Sequence, residues 1–371
     1  MYDAPVIDCD VHVNFATDED LLSRLPRRWR DYAYMPGGGR SVSLHSASID
    51  TGHPTGTNKR LDAFPETGHD AGSDYKTMCE QLLDPHRVET AVFLTDVGLS
   101  AIANEEFAAA ACRAWNDWVV EEWFEATGDR RLSAGLLVPA HDPAAGAEEI
   151  RRAGRHPGFA SAFIDYNALG KPLGHPLYHP IYAAAAEMDL PVHLHICGGE
   201  FMGGTASLVS GGGMPLNRFG VYTLISQPIT HHLTSMIVHG VFEKFPTLRI
   251  INAETGLWFL PWLFARLDSN YELMRRESVW MKKRPSEYLR EHMKFTTQPC
   301  ESFRDDKSEM IEQLSLIEGI EDMLCFSSDY PHWDTDVPSY IDSVLPSAWH
   351  SRVFHDNASA TLRRANGGAS R

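Results

Sequence analysis

The 371-residue chain has no CxxC pair, no apolar run of membrane-spanning length and few cations for its acids. Each absence closes a class of function. The six cysteines (Cys9, Cys79, Cys112, Cys197, Cys300 and Cys325) are scattered. Neither a disulfide framework nor a structural zinc site is therefore expected, and a reducing compartment is. Lys and Arg number 33 against 50 Asp and Glu, a formal charge of −17. A surface of that sign repels phosphate backbones and anionic lipids, which argues against nucleic-acid and membrane partners. The opening segment MYDAPVIDCDVH is acidic where a secretory leader is basic, so a cytoplasmic location is expected. A glycine-rich phosphate turn is also missing after the first apolar run, VIDCDVHVNF, which counts against a doubly wound dinucleotide fold. The glycine triplets at 37–39 and 211–213 lack the strand-to-helix context of a phosphate loop.

What the chain does contain is a regular alternation. Short apolar, β-branched runs fall at 5–13, 88–95, 132–138, 159–165, 190–196, 248–253, 293–297 and 323–328. Segments with helical apolar spacing lie between them, among them 104–126, 179–188, 230–245 and 259–275. Eight strands alternating with helices predict an α/β fold, a single (β/α)8 TIM barrel occupying residues 1–371 as one domain. Such a barrel takes about 250 residues, so roughly a third of the chain is elaboration. Two insertions, 35–74 after strand 1 and 197–227 after strand 5, follow strand C-termini. They are expected to act as lids or substrate walls over the mouth.

Alternate residues of a strand share a face. Asp8, Asp10 and His12 therefore point one way from the first strand, and His193 and His195 from the fifth. The sixth ends in Asn252 and Glu254, the fourth in Asp165, and the eighth in Asp329 with His332 beyond it. Three ionisable groups on one face of a strand are costly in an ordinary core. At a barrel mouth they make sense as metal ligands with a supporting acid. Taken singly, each is a capped or solvated polar residue; their joint placement on one rim points to a metal centre.

These residues sit in motifs that resemble an amidohydrolase-related family, in the branch that includes the non-oxidative decarboxylases of aromatic acids. The resemblance covers nearly the whole chain. It rests on Asp8-Cys9-Asp10-Val11-His12, Pro191-Val192-His193-Leu194-His195, Glu254-Thr255-Gly256 after GVFEKFPTLRIINA, Ser328-Asp329-Tyr330-Pro331-His332, and the closing FHDNASATL. It implies that Asp10, His12, His195 and Asp329 are metal ligands and Glu254 a further ligand or site residue. Asp165, His193 and His332 are then spare groups at the same rim that could complete or bridge a second ion.

The departures from the family pattern carry weight. Asp10 stands where a first-strand His is usual, and Glu254 where the sixth strand usually supplies a His. Three ionised carboxylates and two neutral imidazoles give a site charge of −3, which one divalent ion brings to about −1 and two to about +1. Oxygen-rich ligation suits iron or manganese better than a His-rich zinc site does. This carboxylate-rich pattern resembles a subgroup on the same barrel that binds two non-haem irons and activates dioxygen. That resemblance implies a diiron monooxygenase of secondary metabolism with two Fe ions and O2 as co-substrate. Its substrate would be a hydrophobic, CoA-linked molecule of diterpenoid type. An external electron donor would be needed, because no flavin or nicotinamide fingerprint is visible. The alternative is a metal-dependent hydrolase or non-oxidative decarboxylase of a small carboxylic acid with one Zn or Mn. There Asp329 would be ligand and base, with His332 or His193 assisting proton transfer. A binding protein without chemistry is the third class, and the intact ionisable rim argues against it.

Other features have plainer readings. His231 and His232 are expected on a helix surface unless the insertion before them folds them inward, His175 and His179 in loop packing, and Trp115, Trp118 and Trp123 in the core or an interface. The basic patches Arg27-Arg28, Arg151-Arg152-Arg155 and Lys282-Lys283-Arg284 are solvated faces unless one serves a CoA pyrophosphate. A homo-oligomer is compatible with the sequence, which does not fix the state.

Overall fold

Eight strands form one parallel sheet in chain order, β1 to β8. They are β1 Val6–Val13, β2 Val88–Thr95, β3 Leu132–Leu137, β4 Phe159–Asp165, β5 Val192–His195, β6 Ile250–Asn252, β7 Met293–Thr296 and β8 Leu324–Cys325. The computed structural model describes residues 2–33, 58–95, 102, 104–165, 170–196, 218–301 and 307–363. The sheet closes on itself between β1 and the segment after β8. Cys9 N donates to Phe326 O (3.0 Å), Asp329 N to Asp10 O (3.0 Å) and His12 N to Tyr330 O (2.7 Å). Closure removes both sheet edges, and the helices cover the outside.

Strands buried on both faces explain why each run reads as almost wholly apolar. All eight residues of β1 are buried: Val6, Ile7, Cys9, Val11 and Val13 as apolar residues, and Asp8, Asp10 and His12 as polar ones. The β1–β2 register slips between Asp8 and Val11, and such a bulge re-aims a side chain. It falls beside Asp10.

The helices begin where the sequence offers caps. Asn104 accepts a hydrogen bond from Phe107 N at 3.0 Å to start Glu105–Trp118. Asp142 accepts from Ala144 N and Ala145 N, with Pro143 in the first turn, to start Pro143–Ala153. Each such cap contributes about 1 kcal/mol. Trp115, Trp118 and Trp123 are buried as expected. His232 corrects the sequence reading: in the helix Ser226–Val238 it is fully buried rather than on the surface. The 170s loop explains this, because it lays backbone donors onto the helix. Leu173 N donates to His232 Nδ1 at 3.1 Å, and Gly174 N to Ser235 Oγ at 2.8 Å.

The expected lids fall largely on 34–57 and 197–217, which lie outside the described residues. The described end of the first insertion returns to the barrel mouth. Lys59 bridges His332 antiparallel, Trp333 N donates to Asn58 O at 2.8 Å, and Arg60 N donates to Pro331 O at 2.9 Å. Cys9, Cys79, Cys112, Cys300 and Cys325 are free thiols. Among the described residues no helix is long and apolar enough to cross a membrane.

Candidate metal centre

The C-terminal ends of β1, β5, β6 and β8 bring their ionisable side chains to one point. Asp10, His12, His195 and Asp329 each offer a donor atom, all within 4.8 Å of one another, and all four residues are buried. His12, Glu254, Asp329 and His332 form a second, overlapping group under the same limits. His12 Nε2 lies 2.9 Å from Asp329 Oδ1 and 3.4 Å from Asp10 Oδ1. His195 Nε2 lies 3.2 Å from Glu254 Oε2 and 3.4 Å from Asp10 Oδ2. The His12 ring stacks on His332 at 4.3 Å between centroids and meets His195 edge-on at 4.9 Å.

Backbone geometry sets two of the carboxylates. Glu254 and Asp329 both have left-handed backbone, with φ of 50° and 60°. Non-glycine residues seldom adopt it, and it costs on the order of 1–3 kcal/mol where it occurs. Here it turns each carboxylate residue out of its strand end.

Neighbouring groups then fix how Asp329 sits. His332 Nδ1 is 2.8 Å from Asp329 Oδ1 and 2.9 Å from Oδ2. Gln298 Nε2 donates to Asp329 Oδ2 at 3.0 Å. On the far side of the His332 ring, Nε2 lies 3.1 Å from Asn58 Nδ2. An amide nitrogen only donates, so Nε2 accepts and the proton on Nδ1 is directed at Asp329.

Electrostatics separates the acids. Burial would raise the Asp10 carboxyl, but the His195 and His12 imidazoles outweigh it and bring it down to about 2. The His195 imidazole also resists its burial: Asp10 and Glu254 hold it well above the ordinary range. Burial, with Glu254 adding, pushes Asp329 well above the usual carboxylate range against the pull of His332. Asp8 is raised to about 7 by burial although its Oδ1 accepts from Ser328 N (2.9 Å) and Asp10 N (3.2 Å). It ties β1 to β8 and belongs to neither donor group. Among the described residues, both oxygens of Asp10 and Oδ1 of Asp329 are buried without a hydrogen-bond donor. Oxygens and imidazole nitrogens packed this closely fit a hard or borderline divalent cation. Asp10, His12, His195 and Asp329 could hold it.

The residues singled out in the sequence fare unequally. Asp10, His12, His195, Glu254, Asp329 and His332 come together. His193 shares the inward face with His195 but joins neither donor group; burial pushes its imidazole down to about 4, so it is neutral. Asp165 ends β4 and its backbone pairs with His195, while its side chain lies outside the described residues. Two neighbours of the centre escaped notice. Gln298 follows β7 at the same strand-end position as the acids, and a search for ionisable groups passes over an amide. Asn58 lies in an insertion with no periodic pattern to place it.

A closed parallel barrel with buried carboxylates and imidazoles at its mouth defines the class: an α/β barrel built around a metal-binding site. The chain belongs to the amidohydrolase family, whose model matches residues 7–364. It is 32% identical over 164 residues to decarboxylase orsB of Emericella nidulans, a match covering 43% of this chain and 48% of that protein. The chain thus spans about half the length of this curated relative. With gamma-resorcylate decarboxylase of Polaromonas sp. JS666 it is 26% identical over 269 residues, 69% of this chain and 77% of the relative. Its fold is similar to that of dihydroxybenzoic acid decarboxylase from the same strain, solved with bound manganese and the inhibitor 2-nitroresorcinol. There the TM-score is 0.66, the identity 21%, and 97% of each chain is covered.

These matches correct the expectation of a non-haem iron monooxygenase, because the relatives are decarboxylases. The physical reason is that exchanging imidazole for carboxylate keeps a nitrogen–oxygen donor set. Such a set accommodates manganese as readily as iron, so acid-rich ligation does not by itself call for two irons or dioxygen. The CoA expectation also loses its footing. Arg151 pairs with Glu187 (2.8 Å), Arg152 with Glu149 (2.6 Å) and Asp117 (2.8 Å), and Lys282 with Glu243 (2.5 Å). Lys283 pairs with Glu291 at 2.5 Å, Arg284 with Glu272, and Arg27 lies 3.7 Å from Asp31. With six of the eight cations in these patches paired to neighbouring acids, the patches offer little to a pyrophosphate.

Proposed function

We propose that this chain is a metal-dependent, non-oxidative decarboxylase of a hydroxylated aromatic acid. One divalent cation of manganese type would be held by Asp10, His12, His195 and Asp329. The observation that carries this reading is the buried four-donor cluster at the mouth of a barrel whose curated relatives are decarboxylases. When bound, the ion supplies Lewis-acid charge that binds the substrate's carboxylate and draws electron density from the ring.

The protein's own groups do the rest. In the reaction the ring–carboxyl bond breaks, carbon dioxide leaves, and the ring carbon keeps the electron pair and takes a proton. No electron acceptor is required. Asp329, paired with His332 across 2.8–2.9 Å, is assigned the delivery of that proton to the ring carbon. His332, held by Asn58 as the neutral Nδ1–H tautomer, keeps its own proton and donates a hydrogen bond to the carboxylate left behind, which solvent reprotonates after product departs. Glu254, 3.2 Å from His195 Nε2, supplies negative charge beside that ring. Asp8, through Ser328 N and Asp10 N, keeps β1 and β8 in register. The near-complete burial of these side chains keeps water from the site, which strengthens every charge–dipole contact within it. His193, neutral and outside both donor groups, is given no proton-transfer role.

The test is a panel of mono- and dihydroxybenzoates offered to manganese-loaded protein, with product identified by chromatography. Loss of the carboxyl group from at least one of them, abolished by Asp10→Asn, is expected. No turnover of any panel member would remove the reading.

A further inference from the structure

Gln298 is fully buried at the end of β7, and only one end of its amide is satisfied. Nε2 donates to Asp329 Oδ2 at 3.0 Å and reaches Asp334 O at 3.5 Å, while the residue's backbone N–H is taken by Ser327 Oγ at 3.2 Å. These acceptors fix the orientation of the amide, since turning it over would set Oε1 against a carboxylate and a carbonyl. Oε1 is then left buried with no hydrogen-bond donor among the described residues. On the loop that Gln298 touches, Asp334 Oδ1 is also buried without a donor among the described residues. Buried acceptors are ordinarily satisfied, and an orphan beside a reactive centre calls for a donor brought from outside.

A hydroxylated aromatic acid presents two kinds of polar group. Its carboxylate has only acceptors and suits the cation. Its ring hydroxyl has a proton to give, and the orphaned acceptor is what that proton needs. We propose that Gln298 is the residue that recognises a ring hydroxyl of the substrate. With Nε2 held on Asp329, Oε1 accepts the substrate's O–H. The inference rests on the decarboxylase reading and deepens it. It also links recognition to chemistry, because the side chain that reads the hydroxyl is the one that positions Asp329.

The test compares 2,6-dihydroxybenzoate with 2-hydroxybenzoate, which lacks one donor, using kcat/KM and calorimetric binding at saturating manganese. Wild-type protein is expected to prefer the dihydroxy acid by at least about tenfold, as sites built around a substrate hydroxyl do. Gln298→Met, which removes the acceptor, is expected to bring the preference to about twofold or less. Gln298→Glu keeps an oxygen in the Oε1 position, so the preference should persist, while its second oxygen, set against Asp329 where Nε2 donated, lowers the turnover of both acids. Should the Met variant fail to fold, Gln298→Asn withdraws the oxygen by one carbon and is expected to lose the preference too. A purely structural role would weaken both ligands equally and leave their ratio unchanged; that result, or a wild type that does not discriminate, overturns the assignment while leaving decarboxylation standing. Failure of the wild type to decarboxylate any hydroxybenzoate overturns both.

Discussion

Asp329 leaves its strand with a φ of 60°, and its carboxylate is shared by His12, His332 and Gln298. Asp329 and His12 stand in both donor groups, and Asp329 also takes a hydrogen bond from the Gln298 amide. Asp329→Asn preserves shape and tolerates the left-handed backbone, yet removes the charge and an acceptor. Turnover is expected to fall by at least about 10³-fold, within the range for losing a proton-transfer group, and manganese affinity by more than about tenfold. Glu254 differs, because the first donor group is complete without it. Glu254→Gln should therefore leave one manganese per chain by elemental analysis while slowing turnover through the loss of negative charge beside His195. Loss of the ion would place Glu254 among its ligands. At this scale much of the site was legible: strand parity alone put Asp10, His12 and His195 on the inner face, and Glu254 and Asp329 at strand ends. Gln298 and Asn58 were not legible, because what matters in each is the direction of a neutral amide, which neither charge nor spacing encodes.

At the scale of elements, the strand pattern carried the fold and the loops carried the surprises. The eight apolar runs matched the eight strands, though β8 shrank to Leu324–Cys325 because Phe326 N–H is drawn out of the ladder to Val353 O at 2.8 Å. The bulge beside Asp10 left no trace in the sequence, since an extra residue in a buried strand is as apolar or as polar as its neighbours. Gly72 shows how a loop is pinned to β1. Its φ is +82°, and a Cβ there would lie 2.7 Å from the carbonyl oxygen of His12, while its own carbonyl accepts from Asn14 N at 3.1 Å. Gly72→Ala should destabilise the protein by more than about 1 kcal/mol through backbone strain alone. The clash with His12 should weaken manganese binding as well. Urea titration and metal titration of the same variant check the two effects, and unchanged values for both would show the loop to be freely adaptable.

For the molecule as a whole, the charge of −17 says less about partners than the few acids gathered at the mouth say about a cation. A cation binding only the folded state stabilises it by mass action. Manganese at about 100 times its dissociation constant should add roughly 2.7 kcal/mol, seen as a raised Tm that a chelator reverses. A Tm indifferent to manganese would argue against a folded-state metal site.

Acid stability offers a test that involves none of the donor residues. His232 is fully buried, and desolvation lowers its imidazole to about 3, while Leu173 N–H occupies its Nδ1 lone pair. An unfolded His titrates near 6.5, so between these values the unfolded chain binds a proton that the folded chain refuses. Its contribution is therefore complete above about 6.5 and is lost as pH falls from there toward 3. The slope is about 1.4 kcal/mol per pH unit. His232→Gln, which keeps an acceptor, should flatten the stability profile measured by urea unfolding between pH 6.5 and 4. An unchanged slope would show that other groups govern acid unfolding. The charge balance of the whole chain gives no hint of this residue, whose burial is decided by the backbone donors of a loop distant in sequence.

The most direct measurement follows 2,6-dihydroxybenzoate with manganese-loaded protein in deuterated water, with and without dioxygen, counting carbon dioxide released and deuterium placed on the ring. Non-oxidative decarboxylation requires one carbon dioxide and one ring deuterium per turnover, at the same rate in both atmospheres. Product that carries new oxygen, or turnover that stops when dioxygen is withdrawn, would contradict it.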